Sequence, residues 1–142
     1  MAGPLGERTW EEVAAHPGRL LAVPLGATEQ HGPHLPLDTD TRVALALARS
    51  LADRRSDVLV APALAYGSSG EHAGFAGTVS IGQTAVELVI LELARGLGAD
   101  YEVALTLEAL ARTRLGDSEA EAESRLILER LGVLSTPQVP LP

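Results

Sequence analysis

The chain has 142 residues, enough for one domain with a genuine core and too few for two of ordinary size. Apolar residues make up 46% of it but aromatics only 3%, so the core is expected to be aliphatic, built from Ala, Leu and Val. The formal charge is −8, every cation is an Arg and there is no cysteine, which argues against nucleic-acid partners and excludes disulfides, thiolate metal sites and a cysteine nucleophile.

The opening segment MAGPLGERTWEEV has no basic stretch leading into an apolar one, and no run approaches the ~18 apolar residues of a membrane span. A cytoplasmic chain without membrane contact is expected. Residues 19–26 (RLLAVPLG) have the length and two-sided hydrophobicity of a buried parallel strand. Pro24 lacks an N–H and points to an edge or an irregular end there.

Residues 27–40 (ATEQHGPHLPLDTD) show no periodicity, and a loop of that size within a compact domain is more often functional than idle. It carries Glu29, His31, His34, Asp38 and Asp40, stiffened by Pro33 and Pro36. In an extended chain residues two apart share a side, so Glu29 and His31 are expected to project together while Gln30 turns away. Asp40 stands where the next helix begins, and the chain can fold it back over the strand end, the usual place of α/β sites. Oxygen and nitrogen donors of this kind suit Zn²⁺, Mn²⁺ or Fe²⁺. A Glu and a His two apart in a polar loop are more often solvated, and a lone Asp at such a place is more often a helix cap. Spacing alone leaves both readings open.

Residues 41–54 read as an amphipathic helix with Val43, Leu47 and Leu51 on one face, Ala44 and Ala48 beside them, and Asp40 or Thr39 as its cap. Residues 58–64 (VLVAPAL) form a second strand candidate. A loop with four glycines, AYGSSGEHAGFAG, follows, then TVSI as a very short strand. Residues 83–97 place Val86, Val89, Ile90, Leu93 and Leu97 on one stripe opposite Glu87 and Arg95, with Gly98 as a stop. This order of strands and helices predicts an α/β fold with a largely parallel sheet.

Beyond residue 98 no strand is expected. Residues 101–115 and 118–131 are two helical patterns joined by Gly116 and Asp117, with Ser118 and Glu121 matching a capping box, and a Pro-rich tail follows at 135–142.

The stretch LAVPLGATEQHGPHLPLDTDTRVA, followed by PALAYGSSGEHAGFAGTVSIG, resembles the N-terminal half of the creatininase (creatinine amidohydrolase) family over about residues 8–99. Within that family it is most similar to the members of mycofactocin biosynthesis, peptidases that act on a small precursor peptide. The resemblance implies an α/β/α layered fold, ring-like homo-oligomers, and a divalent metal pair (Zn, Fe or Mn) held in a cleft. It further implies hydrolysis of an amide or peptide bond in a small peptide or cyclic amide by metal-activated water.

Carried onto this chain, the family pattern makes Glu29 and His31 ligands to different ions and Asp40 the bridge between them. The family's glycine-rich loop falls on residues 70–78, where Phe75-Ala76-Gly77-Thr78 stands for the usual Phe-Pro-Gly-Thr. There Gly77 is expected to allow close backbone approach to a ligand. His72 is expected to line the pocket or to make a structural hydrogen bond, and His34 and Asp38 to orient ligands without touching metal.

The resemblance also implies a later Gly-His-Gly-Gly-Asn-type motif and a further carboxylate. Neither occurs: the four histidines are His16, His31, His34 and His72. The expected organisation is therefore a creatininase-like α/β portion at 1–98 containing the loop 27–40, a helical hairpin at 99–134 added by fusion, truncation or frame change, and the tail at 135–142. The alternative to an active hydrolase is a catalytically incomplete remnant that serves as a binding protein.

Overall fold

The computed structural model describes residues 3–113 and 117–136. The fold is α/β. By contacts the chain divides into two compact units, residues 1–83 and 84–142, each described by itself below.

The first unit is built on a three-stranded parallel sheet of β1 (Gly3–Pro4), β2 (Leu20–Ala22) and β3 (Val58–Val60), in the order β1-β3-β2. The central strand β3 is buried along its whole length, and Val58 is fully inaccessible. That follows from its composition, because Val-Leu-Val has no polar side to offer. Both β2 and β3 are shorter than the apolar runs that contain them. Pro24 interrupts the ladder, which resumes as a single bridge where Leu25 pairs with Leu64. The Leu64 N–H donates to the Pro24 carbonyl at 3.0 Å and the Gly26 N–H to the Leu64 carbonyl at 2.8 Å, so the proline sits where its missing donor costs nothing. TVSI likewise forms bridges and no strand: Val79 pairs antiparallel with Thr28, and Ser80 parallel with Gly67.

Three short elements precede β2 and are not evident in the sequence pattern: β1, a single 3-10 turn (Leu5–Glu7) and a short helix. The two-residue β1 is too short for periodicity to reveal. The five-residue α1 (Trp10–Ala14) is started by a capping box in which Thr9 and Glu12 satisfy each other's backbone N–H groups.

Helix α2 (Thr39–Arg54) connects β2 to β3 and packs on β3 and β1. It buries Ala52, with Ala48 partly covered, against Val58, Val60 and Ala22. The expected face was the neighbouring stripe, and that stripe is open: Val43, Leu47 and Leu51 are exposed, Leu47 at 68%. Small alanines let the helix lie close on a narrow sheet, and the leucine stripe, one step round the helix, then finds nothing in this unit to cover it. The start of α2 also differs from expectation. Its cap is Asp38, which makes no side-chain cap bond, and Asp40 lies inside the first turn.

The second unit contains α3 (Gln83–Gly96), α4 (Asp100–Thr113) and α5 (Ser118–Leu131). Its core joins Leu91 and Ala94 of α3 to Val103, Leu107 and Leu110 of α4 and Ala120 of α5. The buried side of α3 is thus Leu91 and Ala94, whereas Leu93 and Leu97 of the expected stripe are exposed. The polar residues assigned to the far side pair with the later helices instead: Arg95 meets Glu123 at the surface at 2.9 Å, and Thr113 donates to the half-buried Glu87 at 3.1 Å. In the buried seam between α4 and α5 the Ser124 hydroxyl donates to the Ala104 carbonyl at 2.8 Å. Helix α5 is capped by Asp117, whose carboxylate accepts from the Ala120 N–H at 3.1 Å, in place of the expected Ser118 box. Gly116, the last two residues of the expected 101–115 helix and most of the Pro-rich tail lie outside the described residues. Among those that are described, no strand follows residue 98.

Candidate metal centre

The loop after β2 is folded back on itself by a short antiparallel contact between His31 and Leu35, and the Glu29 N–H donates to the Leu37 carbonyl at 3.0 Å. This closure brings the far end of the loop beside its beginning. Thr39 then starts α2 with its N–H and hydroxyl both directed at the Pro36 carbonyl. Asp40 follows in the first turn, where the free N–H groups of the helix favour a carboxylate.

The approach of α2 to the strand end depends on Gly26. A Cβ placed there would lie 2.6 Å from Thr41 Cα and 2.8 Å from Thr41 N, distances that no side chain tolerates. The Thr41 hydroxyl uses the closeness, donating to the Ala27 carbonyl at 3.2 Å.

Glu29, His31 and Asp40 converge as a result, with one ligand atom from each lying within 4.8 Å of the others. His31 Nε2 is 3.0 Å from Asp40 Oδ1, and its Nδ1 is 3.0 Å from the Glu29 carbonyl oxygen. A carbonyl and an ionised carboxylate can only accept, so both ring nitrogens face acceptors, an arrangement that favours the doubly protonated ring. These two acceptors, the Glu29 carbonyl first and the Asp40 carboxylate second, hold the His31 pKa above its ordinary value. The side chains of His31 and Asp40 are 19% and 40% exposed, so the group is reachable from solvent.

The donor set fits a divalent ion. Two ligands of one tetrahedral zinc stand roughly 3.3 Å apart when each bond is about 2 Å, close to the 3.0 Å between His31 Nε2 and Asp40 Oδ1. A backbone carbonyl holding Nδ1–H is also the usual support of an imidazole that binds metal through Nε2.

Comparison with known proteins decides the family. The family model described as creatinine amidohydrolase matches residues 6–100. The chain belongs to the creatininase family. It is 58% identical over 83 residues to the mycofactocin precursor peptide peptidase of Mycolicibacterium smegmatis, covering 54% of this chain and 33% of that protein. To the mycofactocin precursor peptide peptidase of Mycobacterium tuberculosis it is 46% identical over 104 residues, covering 67% of this chain and 41% of that one. It is also 38% identical over 103 residues to the creatinine amidohydrolase of Pseudomonas putida, covering 64% and 39%. A solved structure of creatininase matches with a TM-score of 0.62 at 26% identity, over 91% of this chain and 52% of that one. A mutant creatininase of Zn-Zn type matches with a TM-score of 0.59, again at 26% identity over 91% and 52%. The chain thus spans between a third and two fifths of the length of these curated relatives.

The other residues singled out in this creatininase-family chain are placed as follows. His72, at the end of a single 3-10 turn (Gly70–His72), has Nε2 3.4 Å from Glu29 Oε1 and Nδ1 3.0 Å from Gln30 Nε2. His34 sits at the exposed tip of the loop. Asp38 is turned to Arg42 at 2.8 Å, and that guanidinium lowers its pKa. It stands with Arg42 and not with a candidate ligand. Gly77 has φ +87 and its Cα faces the Leu37 side chain, so the close approach recorded there is to the metal-capable loop itself.

Gln30 is the participant that alternation concealed. The loop is not extended at that point, and the Gln30 amide spans from the Gly32 N–H, 2.8 Å from Oε1, to His72. A glutamine between a candidate carboxylate ligand and a candidate histidine ligand is the only hint the sequence offers.

Proposed function

We propose that this chain supplies part of a two-metal centre that hydrolyses an amide or peptide bond. Glu29 and His31 would each hold an ion and Asp40 would be shared between them, as the family resemblance implies. The observation that carries the reading is the convergence of three ligand atoms within 4.8 Å on a loop whose Glu29 carbonyl holds His31 Nδ1 and turns Nε2 toward Asp40. The relatives named mycofactocin precursor peptide peptidase support a small peptide as substrate, and the Zn-Zn type creatininase supports zinc as an occupant.

A bound pair of divalent ions supplies an activated water and polarises the scissile carbonyl. The chain's own part is to fix the donors. Asp40 is held by the first turn of α2, His31 by the Glu29 carbonyl, and Glu29 by the backbone bond of its N–H to Leu37. Homo-oligomerisation belongs to the same reading, and an oligomer offers one source of the ligands that complete the centre. No helix among the described residues is long and apolar enough to cross a membrane.

A second reading follows from the ligand count. Among the described residues the metal-capable group contains three side chains, fewer than two ions require for hydrolysis. On that reading the chain binds metal or a partner without turnover. Incubating the zinc-loaded chain with short peptides and with creatinine separates the two. Turnover that His31→Ala abolishes supports the hydrolase, and no turnover with intact zinc binding supports the incomplete centre.

A further inference from the structure

We infer that His72 is a positioning residue for Glu29, and that Gln30 sets the tautomer in which it acts. The Gly32 N–H can only donate, and it lies 2.8 Å from Gln30 Oε1, so the oxygen of that amide is identified without ambiguity. The amide nitrogen is then the end that lies 3.0 Å from His72 Nδ1. An amide NH₂ only donates, so Nδ1 accepts, and the neutral ring carries its proton on Nε2.

That Nε2–H faces Glu29 Oε1 across 3.4 Å, long for a full hydrogen bond and short enough to orient the carboxylate. With the opposite tautomer, a ring N–H would meet the Gln30 amide donor and a bare nitrogen would meet a carboxylate oxygen. Both contacts would be repulsive.

The two histidines at the centre therefore differ: His31 meets an acceptor at each ring nitrogen, whereas His72 meets a donor at Nδ1 and turns its N–H toward Glu29. His72 cannot serve as a ligand through Nε2 without giving up the Gln30 bond. Its place is secured from below: the His72 N–H donates to the Ser69 carbonyl at 3.1 Å, and the Ser69 N–H donates to the Ser80 hydroxyl at 2.9 Å. Ser69 itself is fully buried. One Glu29 oxygen lies at ion-pair distance from His72, which biases the carboxylate toward presenting its other oxygen to an ion. Loss of such a support weakens metal binding about 10–100-fold.

This deepens the two-metal reading and rests on it for its consequence, while its geometry is tested without metal. Long-range ¹H–¹⁵N NMR of the metal-free full chain, at a pH above the ordinary histidine range, is expected to show His72 protonated on Nε2. In Gln30→Leu that preference should relax. Zinc affinity, measured by chelator competition on folded samples, should fall about 10–100-fold in His72→Ala. It should recover for the greater part in His72→Gln, whose amide nitrogen can stand where Nε2 stands. His72 protonated on Nδ1 in the wild type, unchanged affinity in His72→Ala, or His72→Gln binding as weakly as His72→Ala would each overturn the assignment. Should the wild-type chain bind no zinc, the two-metal reading fails, and the tautomer measurement still decides the link between Gln30 and His72.

Discussion

Gly26 shows how one missing side chain can set the geometry of a site. It lets the first turn of α2 lie against the end of β2, and that turn carries Asp40 to within 3.0 Å of His31. Gly26→Ala should push Thr41 and its turn outward, destabilising the chain by about 1–3 kcal/mol, as overpacking does. Thermal melting checks the stability, and a parallel loss of zinc affinity checks the link to Asp40. Glu29, His31 and Asp40 were legible in the sequence because the metal-capable residues cluster within twelve positions and match a family pattern. Gln30 was not, because alternation holds for an extended chain and the loop turns at Gly32. Asp38 was expected to orient the ligands, and Asp40 to be one of them. The start of α2 separates them, giving one to Arg42 and the other to His31.

At the scale of elements, caps and faces were decided by local competition. The sequence pattern points to Ser118 as the cap of α5, and the structure uses Asp117. Asp117→Ala should cost about 1 kcal/mol, and Ser118→Ala much less, in paired denaturant titrations. Between α2 and β3, Arg55 grips Asp57 with two bonds of 2.6 and 3.0 Å and lowers its pKa. A depressed pKa means that the pair stabilises the fold above the ordinary carboxylate range and stops doing so as pH falls through the folded-state value. The Tm advantage of the wild type over Asp57→Asn should therefore be present at neutral pH and disappear in acid. The long helices α2 to α5 were legible from period, and the buried faces of α2 and α3 were not. For α2 the alanine and leucine stripes are adjacent, and which one packs depends on how narrow the sheet is. For α3 the choice is made by Val103, Leu107 and Leu110, which lie far along the chain.

At the scale of the molecule, the family, the parallel sheet and the helical character after residue 98 could be read from sequence, since each rests on an extended pattern. The grouping of α3 with the later helices could not, because it depends on contacts that no local window contains. The chain spans only part of the length of its curated relatives, and the centre it carries holds three candidate ligands. Whether those three hold metal is the central claim, and anomalous diffraction at the zinc edge from crystals grown with Zn²⁺ tests it most directly. The account predicts two peaks about 3.5–4 Å apart. One should lie about 2 Å from His31 Nε2, the other about 2 Å from a Glu29 oxygen, and Asp40 should reach both. No peak at the loop, or a peak held by His34 or Asp38 in place of these residues, would contradict it.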